Sequence, residues 1–167
     1  MGSRIAVLRD GKLMQIDTPQ NLYQYPANLF VAGFIGSPSM NLFDVTLVNE
    51  DGNLYADAGV FRIKTPGKYK ESWSNFAGKR AVLGVRPEDI HDANFIPGGI
   101  TPCECQAAVD VVELMGNEIV LYLKSGEIEY LARVDPRSAA RVGDQITPVI
   151  NTENVHLFDG DTQQAIR

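Results

Sequence analysis

Short runs of strand-like residues, separated by turn dipeptides, dominate the chain. Asp10-Gly11 and Asp51-Gly52 each stand between two such runs and supply the positive φ that a two-residue hairpin turn requires. The predicted strands span residues 4–9, 12–17, 43–48, 53–58, 60–64, 80–86, 104–113, 117–124, 127–134, 145–150 and 155–158. Many short strands at close spacing predict an antiparallel all-β barrel or sandwich.

Two short helices are predicted directly after the first strand pair. Thr18 followed by Pro19 is typical of a helix start and predicts a helix over residues 20–25. Asn28 is the predicted cap of a second helix over residues 29–35. We interpret residues 65–79 and 92–102 as loops and residues 135–142 as a turn or short helix.

Composition narrows the classes of protein that this chain can represent. Its 167 residues carry 15 basic and 21 acidic groups, a net charge of −6. Scattered basic residues in an acidic chain argue against nucleic-acid binding, which needs a concentrated basic surface. No apolar run approaches the ~20 residues of a membrane span, and Met1-Gly2-Ser3 resembles a remnant of an expression vector rather than a signal peptide.

The two cysteines, Cys103 and Cys105, are predicted to be buried structural residues. From residue 103 to residue 111 the odd positions are apolar and the even positions are mostly polar, which predicts one strand with both thiols on its apolar face. The alternative is half of a metal site, but neither His91 nor His156 has a zinc-ligand spacing to them. We therefore expect no bound metal.

Motifs of catalysis are absent from the sequence. It contains no G-x-x-x-x-G-K-[ST] phosphate loop, no G-x-S-x-G elbow and no H-E-x-x-H zinc motif. Any two carboxylates could meet as a catalytic pair, although most carboxylates are simply solvated at the surface. We predict that the chain by itself is not an enzyme.

Five motifs, in order, resemble the ATP-binding subunits of carbohydrate ABC importers of the maltose and glycerol-3-phosphate type. The first is the run from Asp17 to Asn41, D-T-P-Q-N-L-Y-Q-Y-P-A-N-L-F-V-A-G-F-I-G-S-P-S-M-N. The later motifs are G-V-R-P-E at residues 84–88, V-E-L-M-G-N-E at 112–118, G-D at 143–144 and H-L-F-D at 156–159. Together they extend over nearly the whole chain.

The resemblance implies a mainly β fold and a non-catalytic role. Residues 1–40 would be the vector remnant plus the hairpin-and-helix tail of an ATPase domain, and residues 41–167 an OB-like regulatory domain of the MOP or TOBE type. Bound ATP and Mg²⁺ would belong to the absent ATPase domain, so no cofactor is expected here. The implied location is cytoplasmic, peripheral at the inner face of the membrane.

The implied partners are a second copy of the chain, the parent ATPase domain, the transmembrane permease subunits and a possible regulatory protein. We expect residues 4–40, excised from their parent sheet, to be the least stable part. Their apolar side chains would pack on the OB-like domain of residues 41–167, called the β domain below, or associate between chains.

The G-V-R-P-E motif is interpreted as structural. Pro87 fixes its own φ and disfavours the α region at Arg86, so the strand is expected to end extended. A guanidinium at that corner can bind several carbonyl groups at once, although Arg86 could instead bind a partner. Gly84 and Glu88 complete the family signature.

The two late motifs supply the candidate interface or regulatory residues. These are Glu113, Leu114, Met115, Gly116, Asn117, His156 and Phe158. Gly116 is first of all a turn residue between strands. Because alternation places Val155 and Leu157 on one face, Phe158 is expected to be exposed or to anchor a dimer. Trp73, in the least regular loop, is predicted to cover an open end of the barrel.

Two other functions remain as alternatives. Related OB-like domains bind oxyanions such as molybdate, but the S-A-R-N segment of that type is missing and the chain is acidic. An OB fold that binds single-stranded nucleic acid would need aromatic residues in a basic groove. The fold alone does not choose among these functions.

Overall fold

The computed structural model describes residues 2–167, so Met1, part of the predicted vector remnant, lies outside the described residues. The described strands are β1 Ile5–Arg9, β2 Lys12–Asp17, β3 Asn41–Glu50, β4 Asn53–Asp57, β5 Arg62–Lys64, β6 Arg80–Val85, β7 Ile90–Asp92, β8 Pro102–Glu104, β9 Ala107–Leu114, β10 Ile119–Ser125, β11 Ile128–Val134, β12 Gln145–Ile146, β13 Pro148–Asn151, β14 His156–Asp159 and β15 Ala165–Ile166. The described α-helices are α1 Pro19–Gln24, α2 Leu29–Phe34 and α3 Lys70–Ser74. Among residues 2–167, no helix is long and apolar enough to cross a membrane.

Antiparallel pairing organises the described strands into four sheets. The largest has the order β15-β14-β6-β3-β4-β5, and the others are β11-β10-β9-β12, β7-β13-β8 and the hairpin β1-β2. One apolar core joins the first three, with Phe43 packed edge-on against Phe61 and Tyr130. The mainly β, OB-type fold predicted from the sequence is therefore confirmed.

The N-terminal hairpin and helices form a tail, residues 4–40, with a small core of its own. Val7 of β1, Leu22 of α1 and Val31 of α2 are buried together. Both predicted helix caps are present, since Thr18 accepts a hydrogen bond from the amide of Asn21, and Asn28 accepts one from the amide of Val31. The hairpin turn at residues 10–11 has positive φ at both positions, as predicted.

Backbone contacts attach the tail to the β domain. The amide of Ala165 in β15 donates to the carbonyl of Ala27, and the amide of Leu29 donates to the carbonyl of Gln163. Arg167 donates to the carbonyls of Tyr25 and Pro26. Packing on the β domain, one of the two outcomes expected for the tail, is therefore present within one chain, although Phe34 of α2 remains 64% exposed.

Several predicted elements were wrong. Residues 65–79 contain a 3-10 turn and α3 rather than only a loop, whereas the turn or short helix predicted at 135–142 is confirmed as a turn. Residues 103–113 do not form one strand, because the chain breaks between β8 and β9 and these strands enter different sheets. Strands β7 and β15 were not predicted. Each is only two or three residues long and is recognisable only by its pairing partner.

Candidate functional site

Arg86 lies at the junction of the tail and the β domain. It is 3% exposed, at the extended end of β6 that Pro87 imposes. Its guanidinium donates to the carbonyls of Ile35, at 2.6 Å, and Tyr23, and stacks over the Tyr23 ring with 3.7 Å between Cζ and the ring centroid. Burial lowers the pKa of Arg86 to about 10, while Asp89 opposes this shift, so the side chain stays charged near neutral pH. The structural interpretation of Arg86 therefore agrees with its observed contacts.

Glu88 extends this junction toward the β9–β10 hairpin. Its Oε1 accepts a hydrogen bond from the hydroxyl of Tyr23, and its Oε2 lies 3.3 Å from a guanidinium nitrogen of Arg133. The other terminal nitrogen of Arg133 lies 3.3 Å from Glu118. Burial raises the pKa of Glu88, partly offset by its backbone hydrogen bond and by Arg133. Arg133 thus connects two motifs that are separated by some thirty residues in sequence.

Sequence reasoning missed Arg133 and Tyr23 as members of this network. Arg133 alternates with the buried residues Tyr130, Ala132 and Val134 of β11, so its position predicts only a solvated face. Tyr23 lies within the first family motif, residues 17–41, and this position was the only sign in the sequence that Tyr23 matters to the site. Nothing in that motif indicated that its hydroxyl binds Glu88.

Phe158 is not exposed, which corrects the prediction of an exposed dimer anchor. It is 0% exposed and packs with Met40 and Ala32, so it joins the tail to the β domain within one chain. Leu157, on the opposite face of β14, is buried in the main core, and Phe158 is buried because the tail covers the face that alternation predicted to be open. Phe158 is therefore unavailable to a second copy.

Gly84 has a packing role in the same region. A Cβ built at this position would lie 3.1 Å from a ring carbon of Phe158 and much closer than van der Waals contact to the sulfur of Met40. The glycine that begins G-V-R-P-E therefore leaves room for the side chains that dock the tail.

The tip of the β9–β10 hairpin is exposed. Leu114 is 77% exposed and Met115 is 58% exposed, while Gly116 has a φ of +89°, as expected of a turn residue. Glu113 accepts a hydrogen bond from the Tyr122 hydroxyl at 3.1 Å, and Asn117 is exposed. This loop is the one candidate segment among those predicted that presents large apolar side chains to solvent.

A cleft of about 360 Å³ lies between the tail and the β domain, beside Arg86. Its lining consists of Tyr23, Gln24, Tyr25, Lys68, Tyr69, Arg86, Glu88, Asp89, Asn154 and His156. Burial lowers the pKa of His156 to about 4, with further contributions from Arg86, Lys68 and Arg167, so its imidazole is neutral at physiological pH. Burial raises the pKa of Asp89, while Asn154, Asn151 and Arg86 oppose this shift.

The two cysteines and Trp73 lie in the main core or pack against it. Cys105 is buried, with its sulfur 3.4 Å from the Tyr130 hydroxyl, whereas Cys103 is half-buried and donates to the Arg62 carbonyl at 3.3 Å. Burial raises the pKa of Cys103 to about 11 and also raises that of Cys105. Trp73 is 0% exposed in the main core and stacks on Tyr69. Within residues 2–167, no three His, Cys, Asp or Glu side chains are grouped to hold a metal ion.

Comparison with known families gives two matches that overlap by a few residues. A MalK OB fold domain matches residues 36–90, and a TOBE domain matches residues 83–158. Together they span about three quarters of the chain. The G-V-R-P-E motif lies where the two matches meet.

Curated proteins similar to this chain are ATP-binding subunits of importers. The osmoprotective compounds uptake ATP-binding protein GgtA of Synechocystis is 40% identical over 99% of this chain and 45% of its own length. The multiple sugar-binding transport ATP-binding protein MsmK of Streptococcus mutans is 43% identical over 94% of the chain and 41% of its own length. The trehalose/maltose import ATP-binding protein MalK of Thermococcus litoralis is 38% identical over 99% of this chain and 45% of its own length. The chain thus spans less than half the length of these relatives.

A solved structure shares the fold. The cytoplasmic molybdate-binding protein ModG superposes with a TM-score of 0.53 at 18% identity, covering 70% of this chain and 94% of ModG. At this identity the likeness supports the architecture and carries no ligand over to this chain.

Proposed function

Because this chain belongs to the family that joins a MalK OB fold domain to a TOBE domain, we propose that it is the regulatory and dimerisation region of an ABC importer's ATP-binding subunit. The transported substrates would be sugars or sugar phosphates. The observation that carries this proposal is the match of almost the entire chain to such subunits, with both domains in order. We place the assembled protein in the cytoplasm, at the inner face of the membrane.

In this proposal the chain itself does not hydrolyse ATP. ATP and Mg²⁺ would bind an ATPase domain, and the tail would transmit that domain's movements to the β domain through Arg86 and Phe158. Permease subunits and a regulatory protein would be the other partners. A Mg²⁺-dependent ATPase rate from the pure chain, retained through successive purification steps, would contradict the assignment.

The β9–β10 hairpin tip is the surface that we propose for self-association. Leu114 and Met115 are large apolar side chains that have no cover within the described residues, and Val111 on the same strand is 41% exposed. A two-fold contact uses the same patch on both copies, so one hairpin tip would meet its equivalent. The net charge of −6 opposes association and is screened by salt.

Sedimentation velocity over a concentration series tests the dimer. We expect a weak dimer with a Kd of about micromolar or larger. Leu114→Asp should weaken it by about thirtyfold, the ~2 kcal/mol typical of an interface anchor. Val142→Asp is the matched control, because Val142 is 65% exposed and lies outside the hairpin. A wild type that stays monomeric at high concentration would reject dimerisation by this region alone.

A further inference from the structure

The cleft beside Arg86 is built from both parts of the chain. Tyr25, just after α1, forms its rim on the tail side, while Tyr69 and His156 belong to the β domain. Tyr25 is 54% exposed, but its backbone carbonyl accepts hydrogen bonds from Gln15 and Arg167, which hold the residue in place. Tyr69 is stacked on the buried Trp73 with an interplanar angle of 2°, and the Lys68 ammonium lies 4.9 Å from its ring centroid. The tail and the β domain therefore each contribute one tyrosine to the lining.

Several polar groups in the cleft have unused hydrogen-bonding capacity. Within residues 2–167, the imidazole of His156 and the hydroxyls of Tyr25 and Tyr69 make no side-chain hydrogen bond. A neutral imidazole offers one donor and one acceptor, and a phenol offers both. Asp89 uses Oδ1 to accept from Asn151 and Asn154, which leaves Oδ2 as a further acceptor. Such mixed donors and acceptors suit ligand hydroxyl groups, which also both donate and accept.

The charges in the cleft disfavour an anionic ligand. Two cations, Lys68 and Arg86, face two carboxylates, Glu88 and Asp89, so the lining has no formal net charge. The terminal nitrogens of Arg86 are already bound to carbonyls of the tail, and the Lys68 ammonium donates to the carbonyl of Glu153 at 2.5 Å. Anion sites instead gather free N–H groups and unpaired cations.

We propose that this cleft binds a neutral sugar, whose hydroxyl groups are bound by His156, Asp89 and the phenol groups of Tyr25 and Tyr69. Its volume of about 360 Å³ is at the small end of the range for small-molecule sites. A sugar held there bridges the tail and the β domain. Resting on the proposed function, this site gives the regulatory region a means of sensing a sugar of the imported class.

Titration of the 167-residue chain with maltose, xylose and glycerol 3-phosphate, followed by ligand-observed NMR, tests the proposal. We expect weak, saturable binding of a neutral sugar, reduced by about tenfold in Tyr25→Ala. Lys68→Met should leave neutral-sugar binding within about twofold of wild type, because no phosphate group has to be neutralised. Tyr122→Ala, a tyrosine on β10 outside the cleft, is the matched control and should bind as wild type does.

Three results would overturn the inference. One is no binding of either sugar at concentrations of about 10 mM. Another is binding of glycerol 3-phosphate alone, abolished by Lys68→Met, which would make the cleft an anion site. The third is sugar binding that Tyr25→Ala and Tyr122→Ala weaken equally. Dimerisation without sugar binding would reject only this site, and sugar binding by a strictly monomeric chain would count against the dimerisation proposal instead.

Discussion

The side-chain amide of Asn41 forms two hydrogen bonds with the backbone of Leu131, 90 residues away. Its Nδ2 donates to the Leu131 carbonyl, and its Oδ1 accepts from the Leu131 amide, both at 2.8 Å. Asn41 begins β3 in the six-stranded sheet, and Leu131 lies on β11, the edge of the four-stranded sheet. The side chain of Asn41 thus forms the pair of hydrogen bonds that a neighbouring strand would form with Leu131, and it joins the two sheets.

Asn41→Ala should destabilise the fold by about 2 kcal/mol, because both backbone groups of Leu131 lose a partner in a half-buried setting. Urea unfolding, followed by circular dichroism, measures the change. Asn49→Ala, on an exposed position of the same strand, is the control and should change the unfolding free energy by less than ~0.5 kcal/mol. Equal effects of the two variants would contradict the bridging role of Asn41.

Arg86→Met should release the tail more than it destabilises the β domain. The carbonyls of Tyr23 and Ile35 would lose their donor, at a cost of about 1–3 kcal/mol for each buried group left unpaired. Hydrogen exchange should therefore accelerate selectively over residues 20–36. The control is Arg62→Met, since Arg62 also contacts a tyrosine ring but is exposed and binds Glu50 and Asp57. Unchanged tail exchange in Arg86→Met would show that the apolar contacts of Phe158 suffice for docking.

His156 should make the fold less stable in mild acid. Its folded-state pKa, about 4, lies below its ordinary value of 6.5, so the unfolded chain binds more protons between these limits. The free energy of unfolding is therefore not reduced by His156 above pH 6.5, and it falls as the pH drops toward 4, by up to ~3 kcal/mol. Unfolding free energies at pH 7 and pH 5 should therefore differ more in wild type than in His156→Asn. The same pH difference in both proteins would reject this assignment.

Both thiols should react slowly with thiol reagents in the folded protein, because the thiolate is the reactive form and burial raises both pKa values. Cys103, which is half-buried, should be labelled before Cys105. Labelling in urea provides the control, and both residues should then react at the rate of free cysteine. Fast native labelling of Cys105 would show that the segment between β8 and β9 opens readily.

Local signals predicted the tail and most strands, because turn dipeptides and helix caps act within a few residues. The caps at Thr18 and Asn28, and the turn at Gly11, are examples. Alternation failed at Phe158, since a strand covered on both faces has no polar side to mark. Arg133 was missed because its partners, Glu88 in a 3-10 turn and Glu118 in the loop before β10, are 45 and 15 residues away in sequence. The site depends on such distant pairs, and a single sequence does not display them.

The pairing of β15 with the tail has a consequence for how the protein is made. Ala27 and Leu29 are bound by Ala165 and Gln163, and Tyr25 by Arg167. A ribosome adding ~5–20 residues per second needs roughly 7–28 s to pass from Ala27 to Ala165. Throughout that interval the apolar groups that dock the tail, including Met40, lack their final partner Phe158. The nascent chain therefore passes through a stage at which the tail is open to chaperones.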